Sequence, residues 1–160
     1  NPAKIANIED LTRPSVRVAM ALEASAPGGQ AVMGILKAAD ISAKVLANVR
    51  AQGSCVQRSV ADVTEGKADA MIVERRICRM ARFADKLEYV EIPERLFPAG
   101  PLTFTVGMMA NASDPAKAAA YMDWITSAQG QEYFETAGFI PAISPKGMEL
   151  VEKLGVKDVA

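Results

Sequence analysis

Histidine is absent from the chain. That excludes Ser-His-Asp and Cys-His catalysis, most catalytic zinc sites and any histidine pH switch. Cysteine is scarce: Cys55 and Cys78 are the only two. They are too few for a disulfide scaffold and lack zinc-type spacing, so one bridge or two buried thiols are the open choices. Net charge is nearly lacking too, with 18 Lys and Arg against 19 Asp and Glu. With no basic stripe, nucleic acid is not expected as the main partner. The short cluster Arg75, Arg76, Arg79 and Arg82 has the helical spacing of a solvated face. No apolar run approaches the roughly 18 residues of a membrane span. No signal-peptide pattern appears either, so the expectation is a cytosolic chain or one that has lost its leader. Gly-x-Gly-x-x-Gly and a P-loop lysine are also missing, which argues against a nucleotide.

What is present is an ordinary globular composition, 160 residues of which 50% are hydrophobic, enough to bury a core. Asn7 reads as the cap of one helical turn that stops before Pro14. Residues 16–22 read as a buried strand. Ala31, Val32, Ile35, Leu36 and Ala39 predict a helix over about 29–39. A second helix is expected after Ser42 as N-cap, with Ala43, Val45, Leu46 and Val49 inward. Val56, Val60 and Val63 predict a third helix, closed by Gly66. Strands at 68–73 and 87–92 flank a helix at about 76–83. Three prolines and a glycine between Pro93 and Pro101 mark a linker or crossover. Beyond it come a strand at 102–109, a helix opened by Ser113-Asp114-Pro115, and helices at about 128–136 and 145–154. The Pro115 helix carries Ala116, Ala120, Tyr121, Trp124 and Ile125 towards one face.

Alternating strands and helices predict an α/β fold with mostly parallel strands and helices on the faces. In such sheets ligands collect where strands end and helices begin, because N-terminal N–H groups lack intrahelical partners and carry partial positive charge. Three such junctions are Ser25 to Gly29, Gly53 to Val56 and Glu74 to Arg76. Neighbouring parallel strands would bring them to one edge, as a pocket of backbone donors suited to a small anion. The competing reading is that the glycines only make turns.

Several stretches resemble one family in unbroken order from residue 1 to about 142. They are Asn1-Pro2 with Ile8-Glu9-Asp10-Leu11, Ala26-Pro27-Gly28-Gly29, the string Val63-Thr64-Glu65-Gly66-Lys67-Ala68-Asp69-Ala70-Met71-Ile72-Val73, and Gly130-Gln131-Glu132-Tyr133-Phe134 before Gly138-Phe139. The family is that of the molybdate-binding periplasmic receptors, type II solute-binding proteins of ABC importers. The resemblance implies a two-lobed, non-enzymatic receptor without cofactor or metal, which closes on a tetrahedral oxyanion and delivers it to a membrane permease from an extracytoplasmic compartment. It implies Ala26, Gly28, Gly29, Cys55, Val56, Glu74 and Arg75 as ligand-site residues, with Gly28 and Val56 presenting backbone amides.

Two departures accompany it. Glu74 stands where the bacterial molybdate receptors usually place a tyrosine hydroxyl. An ionised carboxylate cannot donate and repels an oxyanion. Glu74 is therefore turned away and paired with Arg75 or Arg76, or protonated, or the solute is different, a cationic or metal solute included. The second departure is length. The chain is expected to hold the second lobe (about 5–100) and the returning part of the first (about 101–160), without that lobe's opening half. Phe104, Val106, Tyr121 and Trp124 would then be poorly covered, as in a truncated or proteolysed chain, a dimer or a domain swap. In an extracytoplasmic compartment a Cys55–Cys78 bridge would staple two site loops. Free buried thiols, or a soft-metal site with Glu74, are the alternatives. The competing functions are the effector-sensing domain of a transcription regulator, and an enzyme with Glu74 or Asp69 as general base.

Overall fold

A computed structural model describes residues 1–21, 26–53, 55–97 and 105–154, the side chains of 26–28, 153 and 154 excepted. The chain divides into two units, Asn1–Ala99 and Gly100–Ala160.

The first unit starts with a 3-10 turn, Ile8–Thr12. Asn7 Oδ1 accepts from the Asp10 N–H at 3.0 Å, and the Asp10 carboxylate accepts from Asn7 N–H at 3.2 Å. This reciprocal capping satisfies donors that the turn leaves bare and seats Ile8 and Leu11 in the core. Strand β1, Val18–Met20, is buried throughout. Helix α1 spans Ala26–Ala38 and begins three residues before the expected start. Pro27 suits a first helical turn, where its missing N–H costs nothing. Ala31, Ile35 and Leu36 face the core, as their spacing predicts.

Helix α2 is short, Ser42–Ala47, and Val49–Gln52 is not its continuation but strand β2, parallel to β1. Ser42 is its first residue rather than its cap. Ile41 holds the cap position, with no side-chain hydrogen bond. Val45 alone of the expected inward set is fully buried, Ala43 and Leu46 being exposed and Val49 lying in β2. Asn48 makes the switch from helix to strand. It is buried, and its Nδ2 donates to Leu11 O and Arg13 O, both at 2.8 Å, while its own carbonyl accepts from Val18 N–H at 2.9 Å.

Helix α3, Val56–Thr64, matches its prediction and ends on Gly66, whose φ of 74° is the left-handed conformation that glycine supplies without strain. The expected strand at 68–73 is reduced to one parallel bridge, Val18 to Ala70. The Arg17 N–H that would extend this ladder is instead taken by the Asp69 carboxylate at 2.8 Å. The helix expected at 76–83 is the four-residue α4, Arg75–Cys78, followed by turns, and 87–92 forms no strand.

Val18, Leu36 and Val45, with Ile8, Leu11, Val16, Met20, Ile35, Ile41 and Leu96, make the main core. Val60, Ile77 and Phe83 make a second one, against which Val56, Met71, Val73 and Met80 pack.

In the second unit residues 105–109 form no strand, and 102–104 lie outside the described residues. Helix α5, Pro115–Thr126, is capped by Asp114, and α6, Ala128–Thr136, follows after one residue. That residue, Ser127, accepts from Gly130 N–H and donates to Trp124 O at 2.6 Å, serving both helices. At Gly130 a Cβ would lie 2.8 Å from Ile125 Cα, so only glycine permits this approach. Helix α7 spans Pro145–Leu154. No residue of α5 is buried. Val106, Tyr121 (55% exposed) and Trp124 (42%) are as open as expected, and Phe104 lies outside the described residues. Tyr121 and Tyr133 flank Trp124 at 6.3 and 5.8 Å between ring centres. Among the described residues no helix is long and apolar enough to cross a membrane.

Candidate functional site

The first unit is organised by its parallel strands. β1 pairs with β2 on one side and bridges Ala70 on the other, all in one direction. In chain order α1 follows β1, α3 follows β2 and α4 follows the Ala70 bridge. A parallel pair requires a crossover that returns before the next strand starts, as α1 and α2 do between β1 and β2.

Ala26, Gly28 and Gly29 lie in the first turn of α1, not in a loop before it. Cys55 is the N-cap of α3 and Val56 its first residue. Glu74 is the N-cap of α4, Arg75 its first residue and Cys78 its last. Helix geometry leaves the first-turn N–H groups of α1 and α3 without acceptors inside their own helices. At α3 one of these donors is capped, with Arg58 N–H donating to Cys55 Sγ at 3.4 Å.

The end of β1 and the start of α3 are locked together by Ser59, which is fully buried. Gly53 N–H donates to Ser59 Oγ at 3.1 Å and to Met20 O at 3.2 Å, and Ser59 Oγ donates to Met20 O at 3.3 Å. A Cβ on Gly53 would stand 2.8 Å from Ser59 N, so glycine is required here by proximity. Ser59 was legible only indirectly, since it sits three residues from Val56 on the same buried face. Val56 also shares its packing cluster with Met71, Val73 and Ile77, which ties the α3 start to the segment bearing Glu74.

Electrostatically the start of α4 is nearly balanced. Glu74 Oε1 lies 3.7 Å from Arg76 Nη2, and Arg75 Nη1 lies 3.8 Å from Glu91 Oε1. Glu74 is thus paired with Arg76, one of the two arginines considered from sequence. Asp69 is held below the usual carboxylate range chiefly by its hydrogen bonds with the Arg17 side chain, at 2.7 and 3.1 Å. A carboxyl with a depressed pKa is a poor proton acceptor near neutral pH, which removes the argument for Asp69 as a general base. The sign of its linkage is fixed as well. The pair stabilises the fold above the ordinary carboxylate pKa and stops doing so as pH falls through the lowered one.

Cys55 and Cys78 are free, Cys55 exposed and Cys78 half-buried with its thiol pKa pushed up by burial. Among the described residues no group of three or more Cys, Asp or Glu is placed to hold a metal ion, so the soft-metal reading with Glu74 gains no support.

Comparison with known proteins shows the family. Residues 1–140 match the family described as bacterial extracellular solute-binding protein. Molybdate-binding protein ModA of Mycobacterium bovis and the proteins of the same name from two strains of Mycobacterium tuberculosis are each 29% identical over 144 residues. The match covers 87% of this chain and 50% of each relative, so the chain spans about half the length of the relatives it matches. No solved structure matches the chain. The helix-rich architecture with its small parallel sheet is an α/β fragment of the type II binding-protein fold, and the chain belongs to the bacterial extracellular solute-binding proteins.

Proposed function

We propose that the chain is the solute-recognising part of an ABC importer's binding protein, and that its solute is a small tetrahedral oxyanion of the molybdate and tungstate class. The observation that supports this reading is the parallel pairing of β1 and β2, which are followed in the chain by α1 and α3; in this reading the first-turn N–H groups of Gly28, Gly29 and Val56 face the solute. Such groups hold an anion by hydrogen bonds and helix dipoles without a countercharge. The molybdate-binding relatives support the choice of anion. The Glu74 to Arg76 pair supports it too, because a carboxylate whose charge is offset by its own neighbour repels an anion less and attracts a cation less. In this role the protein does no covalent chemistry, acts outside the cytoplasm and hands its solute to a membrane permease.

The test is thermal unfolding in the presence of molybdate, tungstate, sulfate or divalent cations at matched ionic strength. A ligand at 100 times its Kd adds about 2.7 kcal/mol to the native state, which raises Tm by about 5 °C or more in a chain of this size. The expected result is a concentration-dependent rise with molybdate and tungstate. A rise with divalent cations alone would favour a metal solute and overturn the oxyanion reading, as would no rise with any oxyanion at millimolar concentration.

A further inference from the structure

We propose that Cys55 and Cys78 are a redox pair whose disulfide ties the start of α3 to the end of α4. Cys55 caps α3 and Cys78 closes α4. The residues beside both cysteines belong to one packed cluster. Val56 packs on the cluster formed by Val60, Ile77 and Phe83, and Ile77 immediately precedes Cys78. On the far side of Cys78, Met80 packs on the same cluster, and Arg82 donates to Gln57 O at 3.1 Å and to Gln57 Oε1 at 3.2 Å. Cys78 is therefore bracketed in sequence by Ile77 and Met80, which share the cluster that holds Val56 and Val60 of α3, and by Arg82, which bonds Gln57 in the first turn of α3. Helix α4 is a single turn of four residues without a side-chain cap, so little regular structure opposes a shift of Cys78.

The chemistry assigns each thiol a step. Cys55 is exposed, so its sulfur is open to a dissolved oxidant, and it stands at the N-cap of α3, where it accepts the Arg58 N–H. Its thiolate attacks one sulfur of a small-molecule disulfide, forming a mixed disulfide and expelling one thiolate. The half-buried Cys78, deprotonated to solvent, then attacks the Cys55 sulfur and expels the second thiolate. Two electrons pass from the protein thiols to the oxidant, which leaves as two thiols. The bridge stands on these contacts alone. Its consequence for solute capture, restraint of the Val56 amide against the Glu74 segment, rests on the oxyanion reading.

The experiment treats the chain with oxidised glutathione and weighs it before and after reduction, alongside Cys55→Ser and Cys78→Ser. The expected result is a monomer lighter by the two thiol hydrogens and restored by reductant. Cys78→Ser should stop at the glutathione adduct on Cys55, and Cys55→Ser should form no internal bridge. The bridged form should melt about 5 °C or more above the reduced one, since closing the loop restricts the unfolded chain. A wild-type chain that stops at the adduct, links to a second chain or does not react overturns the proposal. None of these readouts depends on whether an oxyanion binds.

Discussion

Leu36→Ala lowers the free energy of unfolding by about 3 kcal/mol, within the range of 2–5 that truncation of a fully buried leucine costs. Leu36 is wholly inaccessible to solvent and packs among Val18, Ile35, Val45 and the other members of the main core. The loss combines the transfer energy of the removed atoms with the cavity that α1 and β1 cannot close. Against a total stability of about 5–15 kcal/mol for an ordinary domain, that is a large share. Denaturant unfolding checks it, through a lower midpoint with an unchanged slope. Leu46→Ala is the matched control. Its side chain is 39% exposed on α2, and the same truncation should cost under about 1 kcal/mol. Equal costs at the two positions would mean that the core is not centred on α1 and β1.

Gly29→Asp weakens oxyanion binding more than 100-fold while leaving the unliganded protein as stable as before, or more so. The substitution puts a carboxylate in the first turn of α1, where the helix dipole favours a negative side chain, and replaces a helical glycine with a better helix former. Folding therefore has no reason to suffer. Binding does, because two unit charges about 4 Å apart repel by about 4 kcal/mol in a partly screened site. Titration calorimetry with molybdate gives the affinity and thermal unfolding without ligand gives the stability. Undiminished affinity in a folded variant would remove the α1 start from the site.

The elements that could be read from sequence were those with local signals. The Asn7 cap, the Asp114 cap with Pro115, the Gly66 terminus and the valine stripe of α3 all stand where spacing placed them, whereas the answering bond from Asp10 was not read. The signals that failed were those decided by distant partners. Residues 42–49 carry apolar side chains at helical spacing, and the turn into β2 beside β1 is accompanied by distant bonds, from Asn48 to Leu11 and Arg13, 37 and 35 residues away, and from Val18 to Asn48. That missed strand is the one that α3 follows in the chain. Residues 68–73 have strand composition, yet the Asp69 carboxylate takes the ladder donor of Arg17 and leaves one bridge. At the candidate site the glycines of α1 announced a strand-to-helix junction, whereas the Ser59 lock between Gly53 and Met20 is a tertiary contact that no local spacing encodes. Likewise local spacing did not distinguish Arg76, which lies by Glu74, from Arg75, which lies by Glu91.

The central claim, that an oxyanion is held by backbone amides at the starts of α1 and α3, is tested most directly by following backbone amide resonances while molybdate is added. The account predicts large, saturable shifts at Gly28, Gly29 and Val56, with small ones at the starts of α5 and α6. Saturable binding that leaves Gly28, Gly29 and Val56 unshifted, or no shift anywhere at millimolar molybdate, would contradict it.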